Sequence, residues 1–166
     1  MKTKKSAVGR SSALFDLKKS APSTSDTVKV PKPVLRAFEN AVACRARAYA
    51  PYSKFKVGSA LLAKDGTIFY GCNVENASYG ATICAERVAL LKAVSEGYQS
   101  FTDIVVVTDA STPAFPCALC LQVMAEFFAP DARVWVADTK GIRSVNKFAK
   151  LLTKPFGPRQ LSEARR

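Results

Sequence analysis

Histidine is absent from this chain of 166 residues, and no other feature of its composition excludes more. Without histidine there can be no Ser-His-Asp triad, no zinc protease of the HExxH type and no Cys2His2 zinc finger. Cysteine, aspartate and glutamate remain as the side chains that can bind a metal ion. We therefore expect any zinc ion in this protein to be held by sulfur.

Long apolar runs are also missing from the sequence. No segment approaches the roughly 20 apolar residues of a membrane-spanning helix, and the N-terminus lacks the apolar centre of a secretory signal. The five cysteines are an odd number without an export signal, so metal binding or catalysis is a better explanation for them than a disulfide framework. We expect a cytoplasmic protein that does not associate with membranes.

Acidic residues are scarce, with 13 Asp and Glu against 25 Lys and Arg, a net charge of +12. Half of this charge falls in residues 1–33, which are also rich in Ser, Thr and Pro. Such a segment buries too little apolar surface to offset the entropy of ordering, so it predicts a basic disordered arm. A solvated tail is the simplest role for it, and an organelle transit peptide or a nonspecific nucleic-acid arm are the alternatives. Residues 159–166 are predicted to form a basic C-terminal tail.

Residues 34–158 carry the pattern of one α/β domain, in which helical and strand-like segments alternate. Together these segments predict a mixed sheet with helices on its faces. The predicted helices cover residues 34–48, 84–94, 116–128 and 145–152, and the predicted strands cover residues 57–63, 68–72, 104–108, 133–137 and 142–145.

Three thiols and one carboxylate occur in two short segments that each open a predicted helix. Cys84 and Glu86 lie in the first, and Cys117 and Cys120 follow Pro116, a residue preferred in the first turn of a helix. Helix N-termini lower the pKa of a cysteine, which favours the thiolate that binds zinc. Glu86 could transfer protons without binding the metal, or it could simply complement the helix dipole.

The sequence Cys84-Ala85-Glu86, followed after residues 87–115 by Pro116-Cys117-Ala118-Leu119-Cys120, resembles the signature of zinc nucleobase deaminases. With Tyr52-Ser53-Lys54-Phe55-Lys56-Val57-Gly58 and Asn73-Val74-Glu75-Asn76 upstream, residues 34–158 resemble the small homotetrameric cytidine deaminases, in the branch with three cysteine ligands. This resemblance implies a three-layer α/β/α fold with a mixed five-stranded sheet. It also implies one zinc ion per subunit and hydrolytic deamination of cytidine and 2′-deoxycytidine in pyrimidine salvage.

The resemblance further implies a role for each matching residue. Cys84, Cys117 and Cys120 would bind zinc, and Glu86 would be the catalytic acid–base, with Arg87 hydrogen-bonded to the ligand sulfurs. Substrate would contact Phe55, Asn73, Glu75 and Ala85, with Glu75 on the ribose 3′-hydroxyl, while Tyr79 and Phe156 would reach into a neighbouring subunit's site. Structural roles are the alternatives for four of these or adjacent residues: Asn73 and Asn76 in a turn, Phe55 and Phe156 in the core.

The second cysteine motif departs from the usual P-C-G-A-C-R-Q of that family. Ala118 and Leu119 put larger side chains beside the metal, and we expect them to narrow the pocket or to alter the base that it accepts. Leu121 replaces an arginine that would add positive charge. Phe115 stands where serine commonly precedes the proline. These changes keep open a preference for another nucleoside or an analogue such as blasticidin S.

A structural zinc module or nucleic-acid binder is the alternative from another class of protein. A closed zinc site of this kind needs a fourth ligand, which would have to be Cys44 or Cys72.

The resemblance to the deaminases also bears on the size of the substrate. Polynucleotide substrates are disfavoured, because the tetrameric family closes its pocket over a single nucleoside.

Overall fold

The computed structural model describes residues 29–110, 112 and 114–163 of the chain. The predicted arm therefore lies outside the described residues as far as residue 28. None of the described helices combines the length and apolarity needed to cross a membrane. In chain order the elements are α1 (Lys32–Arg45), β1 (Gly58–Ala63), β2 (Ile68–Cys72), a 3₁₀ turn (Tyr79–Ala81), α2 (Ala85–Ser95), β3 (Phe101–Thr108), α3 (Ala118–Met124), β4 (Phe128–Asp138), β5 (Gly141–Lys147), α4 (Phe148–Leu151) and α5 (Pro158–Glu163).

The five strands form one mixed sheet in the order β2-β1-β3-β4-β5. Strand β1 pairs antiparallel with both β2 and β3, and β5 pairs antiparallel with β4. The pair β3 and β4 is parallel, and α3 makes the crossover between them. The mixed five-stranded sheet predicted from the sequence is confirmed.

Helices cover both faces of the sheet because the strands bury side chains on both sides. Val105 and Val107 of β3 belong to the smaller core under α1, whereas Ile104 and Val106 belong to the larger core that also contains buried residues of α2, α3 and α4. This alternation along β3 follows from the two-residue period of a strand. The arrangement is the predicted three-layer α/β/α fold.

A buried carboxylate ties β3 to β4 near the middle of the sheet. Asp103 is 1% exposed and accepts hydrogen bonds from the indole Nε1 of Trp135 at 2.6 Å and from Arg133 Nη2 at 2.9 Å. Arg133 Nε also lies 2.7 Å from the same carboxylate. A buried charge paired in this way supports the register of the two parallel strands, of which β3 leads at its carboxyl end to the candidate site.

Several predicted boundaries were wrong. Helix α1 ends at Arg45 rather than at residue 48, β4 begins at Phe128 rather than at residue 133, and α4 begins at Phe148 rather than at residue 145 because β5 extends to Lys147. Helix α3 ends at Met124 rather than at residue 128, because Phe128 begins β4 and packs against the rings of Phe101 and Phe148 at centroid distances of 6.1 and 5.6 Å. An apolar run of this kind fits a helix or a buried strand equally well. The predicted C-terminal tail contains the short helix α5, which begins at Pro158, a favoured first residue of a helix.

Candidate active site

Helices α2 and α3 each begin directly after a cysteine. Cys84 and Cys117 are the N-cap residues, both with extended backbone, and Cys120 lies one turn into α3. The sulfur of Cys117 is 3.8 Å from that of Cys84 and 3.4 Å from that of Cys120, and the three sulfurs lie within 4.8 Å of one another. Folding thus brings together the three thiols that the sequence singled out.

The donor set and its spacing fit a zinc ion. A tetrahedral zinc with bonds of about 2.3 Å to sulfur separates its ligand sulfurs by about 3.8 Å. All five cysteines of the chain are free thiols, so none of these sulfurs is lost to a disulfide. Neither Cys44 nor Cys72 belongs to the group of three, so the fourth cysteine that a closed structural site requires does not join it.

Positive charge lies beside the sulfurs. Arg87 donates through Nη2 to the carbonyl oxygen of Thr82 at 2.9 Å and approaches the Cys84 sulfur at 3.9 Å. Its buried Nε has no hydrogen-bond partner among the described residues. Although burial opposes it, the interaction with Cys84 raises the pKa of the Arg87 guanidinium. A permanent cation here offsets the negative charge of metal-binding thiolates.

The pKa values of Cys84 and Cys120 are shifted in opposite directions. The neighbouring Cys120 thiol lowers the pKa of Cys84 to about 5, and Arg87 and Cys117 act in the same direction against the effect of burial. The same pairing raises the pKa of Cys120, with burial as the second cause. The pairing therefore favours the thiolate at Cys84, which is the form that binds metal.

Glu86 lies in the first turn of α2 and is only 5% exposed. Burial raises the pKa of its carboxyl to about 7, and the nearby Cys84 charge adds to that effect. A carboxyl near half-protonation at neutral pH can both accept and donate a proton. Its burial against the cavity also argues against the simple alternative of a solvated residue that complements the helix dipole.

A cavity of about 250 Å³ opens beside Glu86 and the cysteine cluster. It adjoins a second recess of about 360 Å³ that Tyr52 and Tyr79 help to line, and three residues are common to both: Ser53, Glu75 and Thr82. Four predicted substrate contacts line the first cavity, namely Phe55, Asn73, Glu75 and Ala85. A larger recess of about 740 Å³ lies elsewhere, around Lys64, Arg133 and Lys147, and none of the predicted site residues lines it.

Asn73 braces the segment that carries Phe55. Its Oδ1 accepts a hydrogen bond from the Val57 backbone nitrogen at 2.8 Å, and its Nδ2 donates to the Phe55 carbonyl at 2.9 Å. The residue is 8% exposed. These contacts favour the structural role left open for Asn73, although each end of an amide can form one more hydrogen bond.

Glu75 holds the preceding part of the same segment. Its Oε2 accepts hydrogen bonds from the backbone nitrogens of Tyr52 at 2.8 Å and Ser53 at 3.2 Å, and its Oε1 accepts one from the Ser53 hydroxyl. The hydrogen bond from Ser53 is the main cause that lowers the pKa of Glu75. Glu75 is therefore an ionised acceptor where the two recesses meet.

The two residues predicted to serve a neighbouring subunit are exposed aromatics. Tyr79 is 76% exposed, lines the second recess and lies edge-on to Tyr52 at a centroid distance of 6.0 Å. Phe156 is 58% exposed, does not line the cavity, and has its backbone hydrogen-bonded to the Gln122 side chain. The intersubunit role of both stays a prediction.

The expected narrowing of the pocket by Ala118 and Leu119 was wrong. Both side chains are exposed on the outer side of α3, and neither lines the cavity. Phe115, just before the cysteine motif, lines it instead. Leu121 is 9% exposed and packs in the larger core, so it fills space where the family's arginine would carry charge.

Thr108 also lines the cavity, and it was not among the predicted site residues. It is the last residue of β3, at the carboxyl end of a strand in a parallel pair. Ligands of α/β sheets bind outside such strand ends, so this position was the available signal in the sequence.

Fold and site together define a metal-dependent deaminase of the α/β class, with a buried carboxyl next to three clustered thiols. The family model for the cytidine and deoxycytidylate deaminase zinc-binding region matches residues 32–136. The chain belongs to this family.

Named relatives agree with this assignment. The chain is 50% identical over 120 residues to a cytidine deaminase of Sporosarcina psychrophila, covering 72% of this chain and 88% of that protein. It is 44% identical over 126 residues to one of Halalkalibacterium halodurans, covering 76% and 96%. A crystal structure of cytidine deaminase from Burkholderia pseudomallei superimposes with a TM-score of 0.69 at 46% identity, covering 74% of this chain and 98% of that one.

Proposed function

We propose that the protein is a zinc-dependent enzyme that hydrolyses cytidine and 2′-deoxycytidine to uridine and 2′-deoxyuridine, with release of ammonia. The observation that carries this proposal is the group of three thiols, two of which line the same cavity as the buried carboxyl of Glu86. The family match and the near-complete coverage of the relatives support it.

Cys84, Cys117 and Cys120 would hold one zinc ion per subunit. When bound, zinc supplies an activated water for addition to C4 of the base. Arg87 contributes positive charge beside the Cys84 sulfur, which limits the build-up of negative charge from three thiolates.

Glu86 carries the protons of the reaction. Its carboxylate accepts a proton from the water that adds to C4 and passes it to N3 of the pyrimidine as C4 becomes tetrahedral. It then accepts the remaining proton of that oxygen and delivers it to the amine as the C4–N bond breaks, which leaves the C4 carbonyl of the product and releases ammonia. A pKa raised to about 7 by burial suits both directions of transfer. The exclusion of solvent around this carboxyl also protects the proton from exchange with bulk water.

Substrate binding involves both recesses. The base would occupy the cavity beside Glu86, with Phe55 against the pyrimidine and the Ala85 backbone as a further contact. The ribose would extend toward Glu75, which lines both recesses and would accept a hydrogen bond from the 3′-hydroxyl. Asn73 would use its spare hydrogen-bonding capacity on the ribose while it braces Phe55.

The enzyme would work as a cytoplasmic homotetramer in pyrimidine salvage, with Tyr79 and Phe156 completing the site of a neighbouring subunit. Their exposure as large aromatic side chains supports an interface role. Sedimentation velocity should give the mass of four chains, and Phe156→Ala should lower kcat/KM in the assembled enzyme. A fully active monomer would contradict the shared site.

The deciding experiment follows the loss of ultraviolet absorbance as cytidine is converted to uridine, with and without removal of zinc by a chelator. Parallel product assays use 2′-deoxycytidine, blasticidin S and short single-stranded DNA. We expect zinc-dependent turnover of the two nucleosides and none of the DNA. A zinc-loaded protein that leaves both nucleosides unchanged would contradict the proposed function, and preference for blasticidin S would identify an analogue deaminase.

A further inference from the structure

Three hydroxyl-bearing residues line the cavity, and two of them are engaged within the protein. The Ser53 hydroxyl donates to Glu75, and the Thr82 hydroxyl accepts a hydrogen bond from the Asn76 backbone nitrogen at 3.1 Å. The third belongs to Thr108, whose buried Oγ1 has no hydrogen-bond partner among the described residues. Thr108 is only 1% exposed, so bulk solvent does not satisfy this group.

The register of β3 determines which face of the sheet carries this side chain. Ile104 and Val106 point into the larger core, on the face that α2 and α3 cover. Thr108 lies two residues beyond Val106 and therefore shares that face. The backbone of Thr108 is fixed opposite Asp138 in the parallel ladder. The hydroxyl is thus held by a rigid strand end on the side of the sheet that carries the cysteines and Glu86.

A buried polar group without a partner is costly, and proteins rarely keep one without a use. Thr108 lines the same cavity as Glu86 and two of the clustered cysteines. In a deaminase, the part of the base that must lie there carries the ring nitrogen N3 and the exocyclic amine. Glu86 serves proton transfer, and a neutral hydroxyl can accept a hydrogen bond from the amine without competing for that proton.

We propose that Thr108 is a substrate-binding residue whose hydroxyl accepts a hydrogen bond from the exocyclic amine of the pyrimidine. This inference rests on the proposed function, because it assigns one more contact within the same site. It selects for an aminopyrimidine over a base without the amine. It also orients C4 and its leaving group relative to Glu86.

The test compares Thr108→Val, which keeps the shape and removes the hydroxyl, with Thr108→Ser, which keeps the hydroxyl. Both are made in a Glu86→Gln background, where equilibrium binding can be measured by calorimetry without turnover. The two probes are cytidine and the pyrimidin-2-one ribonucleoside, which lacks the exocyclic amine. Thr108→Val should weaken cytidine binding about tenfold, the size of one hydrogen bond to a neutral partner, and should change binding of the second probe by less than about twofold.

Stability and the serine variant decide between a binding role and a structural role. Thr108→Val should not lower the urea midpoint of unfolding, because its hydroxyl holds no described residue; a lower midpoint would assign it a structural role and overturn the inference. Unchanged cytidine affinity, or equal weakening of both probes, would also overturn it, as would failure of Thr108→Ser to restore cytidine binding. If the wild-type protein neither bound nor converted cytidine, the proposed function would fall together with this inference. If the wild type is active and Thr108→Val leaves cytidine affinity unchanged, the inference alone is removed.

Discussion

Gly71 of β2 lies so close to α2 that a Cβ atom on it would come within 2.6 Å of the Ala89 backbone nitrogen. The same atom would lie 2.8 Å from the carbonyl oxygen of Ala85, the first residue of the helix. The absence of a side chain at Gly71 therefore sets how closely α2 approaches the sheet. Because this helix carries Cys84 at its N-cap and Glu86 in its first turn, the packing of a glycine governs the position of the candidate site.

Gly71→Ala should displace α2 and impair both stability and activity. We expect a loss of about 1–3 kcal/mol in the free energy of unfolding, as for other overpacked sites, measured by urea denaturation. The rate of cytidine deamination should fall as well, since Glu86 moves with the helix. Gly80→Ala is the matched control, because a Cβ there meets no described atom within 4 Å. Equal stability of the two variants would show that α2 can shift without cost.

Glu86→Gln should retain zinc and lose most of its activity. The amide preserves the size of the side chain and cannot carry a proton, so kcat should fall by about 10²–10⁴-fold. Zinc content is measured by atomic absorption and kcat by the change in ultraviolet absorbance. Glu96→Gln, at the exposed C-cap of the same helix, should behave as the wild type. Activity within tenfold of the wild type in Glu86→Gln would exclude this carboxyl as the proton carrier.

Much of the fold could be predicted from the sequence because its elements have strong local signals. Short apolar runs bounded by turn residues predicted the five strands, and proline and cysteine positions located the starts of α2 and α3. The predicted end of α3 was wrong because an apolar residue such as Phe128 fits a helix or a strand equally well. Only the contacts of Phe128 with Phe101 and Phe148 decide between the two. Local pattern carries no information about such tertiary packing.

The cluster of thiols could be predicted because its spacing is itself the signal, and the resemblance supplied four residues of the cavity wall, but the rest of that wall could not be predicted. Leu119 stands next to a cysteine in the sequence and yet projects outward from α3, 65% exposed, whereas Phe115 lines the cavity. Whether Phe115 or Leu119 faces the cavity depends on where α3 begins, because the helix start sets the direction of each side chain around it. Thr108 escaped notice because an unpartnered hydroxyl becomes visible only when its surroundings are known.

Asn73→Ala should destabilise the protein as well as weaken substrate binding. It removes the hydrogen bonds to the Val57 nitrogen and the Phe55 carbonyl, and a loss of about 1–3 kcal/mol follows if these groups remain unpaired. Asn76→Ala is the control, since its exposed amide only closes a local turn with Ser78. Urea denaturation and the KM for cytidine are measured for both variants. A higher KM without loss of stability in Asn73→Ala would assign Asn73 to the substrate alone.

Cys117→Ala should lose zinc, activity and stability together. The residue is both a predicted ligand and the N-cap of α3, and its sulfur lies between those of Cys84 and Cys120. Because a metal bound only by the folded state stabilises it, removal of zinc with a chelator should lower the unfolding temperature of the wild type and leave that of Cys117→Ala unchanged. Cys72→Ala is the control, since this thiol lies outside the group of three and should keep a full complement of zinc. Full zinc content in Cys117→Ala would mean that another side chain completes the site, and the assignment of ligands would have to change.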